Sequence, residues 1–226
     1  MKTLFDQPER YDEFLNKGIG ITGNEKNYFI EGRLGLLLEK MKNRNPEHIL
    51  DFGCGTGATS SFLQRLFPGS QIHATDYAEA AVAFAKTQNK SQSIYFQRFN
   101  EWKQSNERYD LVYINCVFHH IEPPERQAIM DLLYAKMKEE GEIWIFENNP
   151  LNPGTRLAMY LNPFDKGVKK IWPSELGRLT ARSGFREKDK WFLFYFPQWL
   201  SVFRFLEKLL LKLPFGGQYA VQAEKG

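Results

Sequence analysis

Ile49-Leu50-Asp51-Phe52-Gly53-Cys54-Gly55-Thr56-Gly57-Ala58 decides how this chain folds. An apolar strand runs into an acid and then into three glycines spaced two apart. Such a turn lays bare backbone at the end of a buried strand, because glycine adopts conformations and allows approaches that a side chain forbids. Asp76 follows nineteen residues after Gly57, at the end of a second apolar run from Ile72 to Ala74. In doubly wound α/β folds an acid at this place accepts hydrogen bonds from ribose hydroxyls. Together the two features point to a ligand that contains a nucleoside.

Outward from this segment, strand and helix patterns alternate. Phe29, Ile30, Leu34, Leu37, Leu38 and Met41 recur at helical spacing and predict an amphipathic helix over Asn27 to Asn43. Strands follow at Glu47 to Phe52, Gln71 to Thr75, Ile94 to Phe99, Tyr109 to Asn115 and Glu142 to Glu147. Between them lie helices at Thr59 to Phe67, Ala78 to Gln88 and Glu125 to Met137. This order predicts a mostly parallel sheet with helices on both faces. Residues 1 to 26 read as polar and irregular, with Gly18, Gly20 and Gly23 marking loops. The C-terminal third reads as a helix at Ser174 to Ser183, an aromatic strand at Trp191 to Phe196, a helix at Gln198 to Leu213 and a short strand at Gln218 to Ala223.

Bulk properties bound the function. A chain of 226 residues is long enough for one large α/β domain with its own core. The net charge of +3, from 30 basic and 27 acidic residues, argues against a nucleic-acid partner. Two cysteines, Cys54 and Cys116, build neither a disulfide framework nor a zinc site. No carboxylate and histidine cluster shows metal-ligand spacing, so no metal is expected. The first six residues lack the apolar core of a signal peptide, and no run of about 18 uncharged apolar residues exists. A cytoplasmic protein is the default expectation, with contact at a membrane surface left open.

The quoted residues resemble those of the class I S-adenosylmethionine-dependent methyltransferases. Asp51-x-Gly53-x-Gly55-x-Gly57 is similar to that family's first motif, and Asp76 to its ribose-binding acid. Tyr109-Asp110-Leu111-Val112 through Phe118-His119-His120-Ile121 resembles the fourth strand and its histidine-containing turn, and Gly141 to Ile145 the start of the fifth strand. The resemblance covers about residues 45 to 150. It implies a seven-stranded Rossmann-like sheet whose C-terminal antiparallel strand carries an inserted helix. In that reading residues 1–44 form an N-terminal helical cap, 45–150 the cofactor-binding core and 151–226 the acceptor-side remainder of the same domain. It also implies that Asp51, Gly53, Cys54, Gly55, Gly57, Asp76, Tyr77, Asn100, Glu101, Asn115 and Cys116 surround S-adenosylmethionine and its product S-adenosylhomocysteine. Asn100 departs from the aspartate often found there, although an amide oxygen still accepts from an adenine amino group.

Two rival cofactors fit less well. Gly53-x-Gly55-x-x-Ala58 satisfies the dinucleotide pattern, but Asp51 would repel a pyrophosphate at the helix N-terminus and suits a sulfonium and an amino group instead. No Gly-Lys-Ser/Thr follows, which removes a nucleoside-triphosphate loop. The alternative for Asp51 is a role that only caps or orients the loop, and for Tyr77 a plain surface aromatic.

On the acceptor side, His119 and His120 are the candidate general bases, with His119 marginally preferred; the alternative is a turn histidine that only packs. Asn148, Asn149, Arg156 and Tyr160 follow the fifth strand, where ligands of such sheets bind, and suit hydroxyl or carboxylate groups. The same Asn-Pro pairs also serve as simple turn formers. Cys54 and Cys116, at the ends of neighbouring strands, read as small packing residues or as a redox pair. Residues 191–213 are apolar over so wide an arc that they require cover from their own domain, a second copy in a homodimer, or a lipid surface. The expected reaction is methyl transfer to an oxygen or nitrogen of a small-molecule, lipid-linked or glycan-linked acceptor. The alternatives are a protein methyltransferase and a binding module that keeps the fold without catalysis.

Overall fold

Strand residues of this chain alternate between two apolar faces, and the fold follows from covering both. The computed structural model describes residues 7–41 and 44–226. Seven strands, β1 His48–Phe52, β2 Gln71–Asp76, β3 Ile94–Arg98, β4 Tyr109–Asn115, β5 Met137–Asn148, β6 Phe185–Leu193 and β7 Gln218–Lys225, form one sheet in the order β3-β2-β1-β4-β5-β7-β6. β7 runs antiparallel to both β5 and β6, while the pairs from β3 to β5 are parallel. Ile49, Leu111, Tyr113, Trp144 and Phe146 face one core, and Leu50, Val112, Ile114, Ile143 and Ile145 face the other. This is the period-2 pattern of a sheet buried on both sides.

Helices α2 Lys26–Met41, α3 Ala58–Leu66 and α4 Glu79–Gln88 supply the first core through Leu37, Leu63, Val82 and Ala85. Helices α5 Phe99–Gln104, α6 Arg126–Ala135 and α8 Pro173–Arg182 supply the second through Trp102, Met130, Leu133 and Leu176. Two further helices, α1 Tyr11–Ile19 and α7 Pro153–Leu161, pack on each other at the C-terminal edge of the strands, above the sheet. At Gly18 a Cβ would lie 2.7 Å from Asn162 Cβ, which shows how closely these two elements approach.

The structure departs from the sequence expectation at α5, where no helix is expected, and in the segments outside the parallel core. Residues 11–19, read as irregular, are helical, and residues 153–161, read as a loop, form α7 with Asn152 capping its start through Thr155 N. The helix expected over Gln198 to Leu213 is a 3-10 stretch, Gln198–Leu206, followed by the four-residue α9 Glu207–Leu210, with Leu200 outside helical geometry. Of the three covers expected for the wide apolar arc, the chain's own domain does not cover Trp199, Val202, Phe205 and Leu209, which are exposed. The expected end of α2 at Asn43 and the reading of residues 1–6 lie outside the described residues.

Candidate active site

Strand order reverses between β1 and β4, and the carboxyl ends of these two strands open on a crevice, as such switch points do. After β1 the chain turns sharply: Gly53 N and Cys54 N both donate to Thr75 O of β2, at 2.8 and 3.0 Å. A Cβ on Gly53 would lie 2.2 Å from Val117 Cγ2, and one on Gly57 2.8 Å from the Phe96 ring. Those two glycines answer to internal packing. Gly55, at φ +52, instead leaves its backbone open, with Tyr11 the nearest neighbour at 3.8 Å. Asp76 fixes the turn: its Oδ2 accepts from Gly55 N and its Oδ1 from Ala78 N, both at 2.8 Å. A carboxylate has about four acceptor positions, so two remain. Burial pushes the Asp76 carboxyl up while these amides pull it down.

The crevice is a cavity of about 1430 Å³. That is larger than the roughly 300–1,000 Å³ of a single small-ligand pocket and leaves room for two molecules. Gly53, Gly55, Asp76, Tyr77, Phe99, Asn115 and Cys116 line one end. Tyr77 stacks on Phe99 with centroids 3.9 Å apart and gives that end a flat aromatic wall. Asn115 Oδ1 is buried with no hydrogen-bond partner, which is the acceptor an amino group would satisfy. Arg33 of α2, only 5 % exposed, also lines the cavity. Its guanidinium donates to Tyr113 Oη at 3.2 Å and to Gln218 Oε1 at 3.0 Å, both neutral partners.

Beyond β4 the two histidines take different states. His119 is buried, with Nδ1 2.6 Å from Glu147 Oε2 and Nε2 3.2 Å from Asp165 Oδ1. Burial works against a charged ring, but the two carboxylates outweigh it and lift His119 to about 10. It is therefore an imidazolium at neutral pH, donating from both nitrogens. His120 lies beside it, centroids 4.2 Å apart, and lines the cavity. Burial and the His119 charge push His120 down to about 4, so it is neutral.

Three comparisons bear on this geometry. Residues 50–143 match the family model described as a methyltransferase domain. The chain is 30% identical over 109 residues to a malonyl-[acyl-carrier protein] O-methyltransferase of Bacillus cereus, covering 48% of this chain and 40% of that protein. It thus spans about two-fifths of that curated relative. A SAM-dependent methyltransferase from Archaeoglobus fulgidus superposes with a TM-score of 0.71 at 21% identity, over 95% of this chain and all of the other. Human N-acetylserotonin methyltransferase in complex with SAM gives a TM-score of 0.66 at 20% identity, over all of this chain and 59% of the other. At these identities the solved structures establish the fold.

The structure gathers Gly53, Cys54, Gly55, Asp76, Tyr77, Asn115, Cys116, His119, His120 and Asn148 around the cavity. Others point elsewhere. Asp51 is buried, accepts from Ser60 Oγ of α3 at 2.6 Å, and does not line the cavity; burial raises its carboxyl to about 7. Its geometry is that of a strut between β1 and α3. Glu101 accepts from Arg98 N and so caps α5, and Asn100 is exposed beside it. Asn149 is fully buried, its amide donating to Pro214 O and Gly216 O. Arg156 and Tyr160 lie exposed on α7, outside the lining. Cys54 and Cys116 are free thiols that burial pushes up, and Cys116 takes φ +56 at the cavity wall.

The expectation of no ligand-spaced cluster needs correction. Donor atoms of His119, His120 and Asp165 fall within 4.8 Å of one another, as do those of His48, His73 and Glu107 at the opposite end of the strands. In the first group both ring nitrogens of His119 already face carboxylates, Glu147 and Asp165. Sequence reasoning also missed Arg33, Glu147 and Asp165. Arg33 sits within the apolar stripe of α2 and Glu147 closes the apolar run of β5, signals visible as charges among hydrophobic neighbours. Asp165 carries no local signal.

Proposed function

We infer that this chain transfers a methyl group from S-adenosylmethionine to an oxygen or nitrogen of a small or lipid-linked acceptor. The observation that carries the reading is the pairing of unspent acceptors at one end of the cavity with a neutral histidine, His120, further along it. The two remaining acceptor positions of Asp76 suit ribose hydroxyls, the Tyr77–Phe99 wall suits adenine, and Asn115 Oδ1 suits the amino group of the methionyl part. Arg33, whose present partners are neutral, suits its carboxylate, since a guanidinium binds carboxylates in a two-pronged fashion. When bound, S-adenosylmethionine supplies a methyl group on a sulfonium, already activated for in-line displacement.

The protein's part is then to place the acceptor atom and to remove its proton. Alignment at about 3 to 3.5 Å provides much of the acceleration. His120 is the residue placed to take that proton, because it is neutral and lines the cavity. His119 has both nitrogens engaged and holds a proton of its own, so it positions His120 and the turn. The malonyl-[acyl-carrier protein] relative supports an acceptor whose acyl group is held on a carrier. The Phe29, Phe164, Phe194 and Phe196 side of the cavity is apolar enough to receive such a group.

The test is calorimetry with S-adenosylhomocysteine, followed by a turnover screen that detects this product across hydroxylated, carboxylated and lipid-borne acceptors. Micromolar or tighter binding that Asp76→Asn and Arg33→Met each weaken supports the reading. Absence of binding by the wild-type chain refutes it.

A further inference from the structure

The largest unexplained surface borders the cavity. Trp199 and Phe205 are each 73% exposed and Leu209 79%, and Val202, Leu213 and Phe215 are exposed with them. Leu151, Leu157, Tyr160 and Leu161 of the neighbouring α7 segment are exposed as well. The two segments lie side by side: Asn152 Nδ2 donates to Phe215 O at 2.7 Å and Thr155 Oγ1 to Gly217 O at 2.7 Å. Both reach the cavity, one through Trp199 and the other through Asn152 and Thr155. A monomeric protein rarely shows so much contiguous apolar surface without a use for it.

Charge identifies the occupant. Residues 149–170 and 194–217 together carry seven Lys and Arg against two acids, so their combined charge exceeds the +3 of the whole chain. Both acids are turned inward, Asp165 to His119 and Glu207 to the amides of Tyr195 and Phe196. What faces outward is apolar side chains interleaved with Arg156, Lys166, Lys169, Lys170 and Lys208, all exposed, while Lys212 pairs with Asp189 of β6. A second copy of the chain would bring two such basic faces together, which like charges oppose. An anionic bilayer accepts both components, apolar groups at the acyl boundary and lysines among the headgroups. Among the described residues no helix is long and apolar enough to cross a membrane, so the contact is interfacial.

We propose that this face docks on an anionic lipid bilayer and that the methyl acceptor is drawn from that surface into the cavity. The delivery half rests on the methyl-transfer reading; the contact itself does not.

The experiment is flotation of the untagged full chain with vesicles of phosphatidylethanolamine and phosphatidylglycerol, and with vesicles of phosphatidylcholine alone. Binding to the anionic vesicles is expected, with little to phosphatidylcholine and a steep loss as salt is raised. Phe205→Ser/Leu209→Ser is expected to weaken it about tenfold or more. Lys169→Glu/Lys170→Glu/Lys208→Glu is expected to weaken it several-fold, with S-adenosylhomocysteine affinity unchanged in both variants. No binding to anionic vesicles, or equal binding by the Phe205→Ser/Leu209→Ser variant, overturns the proposal. So does a dimer in light scattering that the same variant dissolves. Vesicle binding without S-adenosylhomocysteine binding sinks the methyl-transfer reading and leaves the contact standing; the reverse result sinks the contact alone.

Discussion

The two ends of the cavity are built by different means. At the cofactor end, one sharp turn after β1, two backbone amides on Asp76 and a stacked pair of rings do the work, all within residues 53–99. At the acceptor end, His119, Glu147 and Asp165 come together from three separate elements and satisfy one another in the interior. The first end is local and made largely of backbone; the second is a buried charge network that stands or falls together. A local site tolerates side-chain change in graded steps. A network of one imidazolium between two carboxylates does not, because removing one member leaves uncompensated charge.

The sharpest way to break this contrast is at the paired histidines. His120→Ala should lower kcat by roughly 10²–10⁴-fold, the usual yield of a general base, with S-adenosylhomocysteine affinity retained in calorimetry. A change within a few-fold would remove His120 from the chemistry. His119→Ala should instead cost about 3–5 kcal/mol of folding stability, because Glu147 and Asp165 lose the cation between them. Urea denaturation reads this directly, and a variant as stable as wild type would show that the network is not what binds the three elements together.

Smaller effects sharpen the comparison at the cofactor end. Asp76→Asn should weaken S-adenosylhomocysteine binding by about ten- to a hundredfold, the loss of one or two charge-assisted hydrogen bonds. Asp51→Asn should change that affinity by less than about threefold, since the Asp51 carboxylate meets Ser60 and not the cavity. If the two variants behave alike, the geometric distinction between these acids is wrong. A separate effect is in pH. His119 has its folded pKa raised to about 10 from an ordinary 6.5, so its stabilising contribution is complete below about pH 6.5 and fades as pH rises through 10. Urea midpoints between pH 7 and 10 should fall for the wild type, and the His119→Gln variant should lack that part of the slope.

The parallel core was legible because each of its signals is local. β4 falls on Tyr109–Asn115 as the continuous apolar run predicts, and the glycine loop and Asp76 lie where their spacing puts them. What the sequence hid depends on contacts between distant segments. α1 carries Tyr11, Phe14, Leu15 and Ile19 at helical spacing, a short signal masked by the polar residues and glycines around it, and it packs on α7, a partner more than 130 residues away. The stripe from Leu200 to Leu213 has helical spacing, yet spacing alone does not reveal that Leu200, Leu206 and Leu210 are only half-buried, which weakens the burial that would hold a long helix. Arg33 and Glu147 stood out in principle as charges within apolar runs. Asp165 did not, because only the folded chain brings it 3.2 Å from His119.

One detail of the sheet reaches further than its size. The excursion between β6 and β7 leaves and rejoins the sheet at adjacent points, with Gly217 N donating to Phe194 O at 3.0 Å and Asn149 gripping Pro214 O and Gly216 O. A Cβ on Gly216 would lie 2.5 Å from Leu193 O, so the closure admits no larger residue without moving the backbone. Because both ends are pinned there, the number of residues between them does not enter the register of β6 against β7. On the methyl-transfer reading proposed above, lengthening, trimming or replacing this segment is expected to recut the acceptor's doorway while the donor's half of the cavity stays as it is.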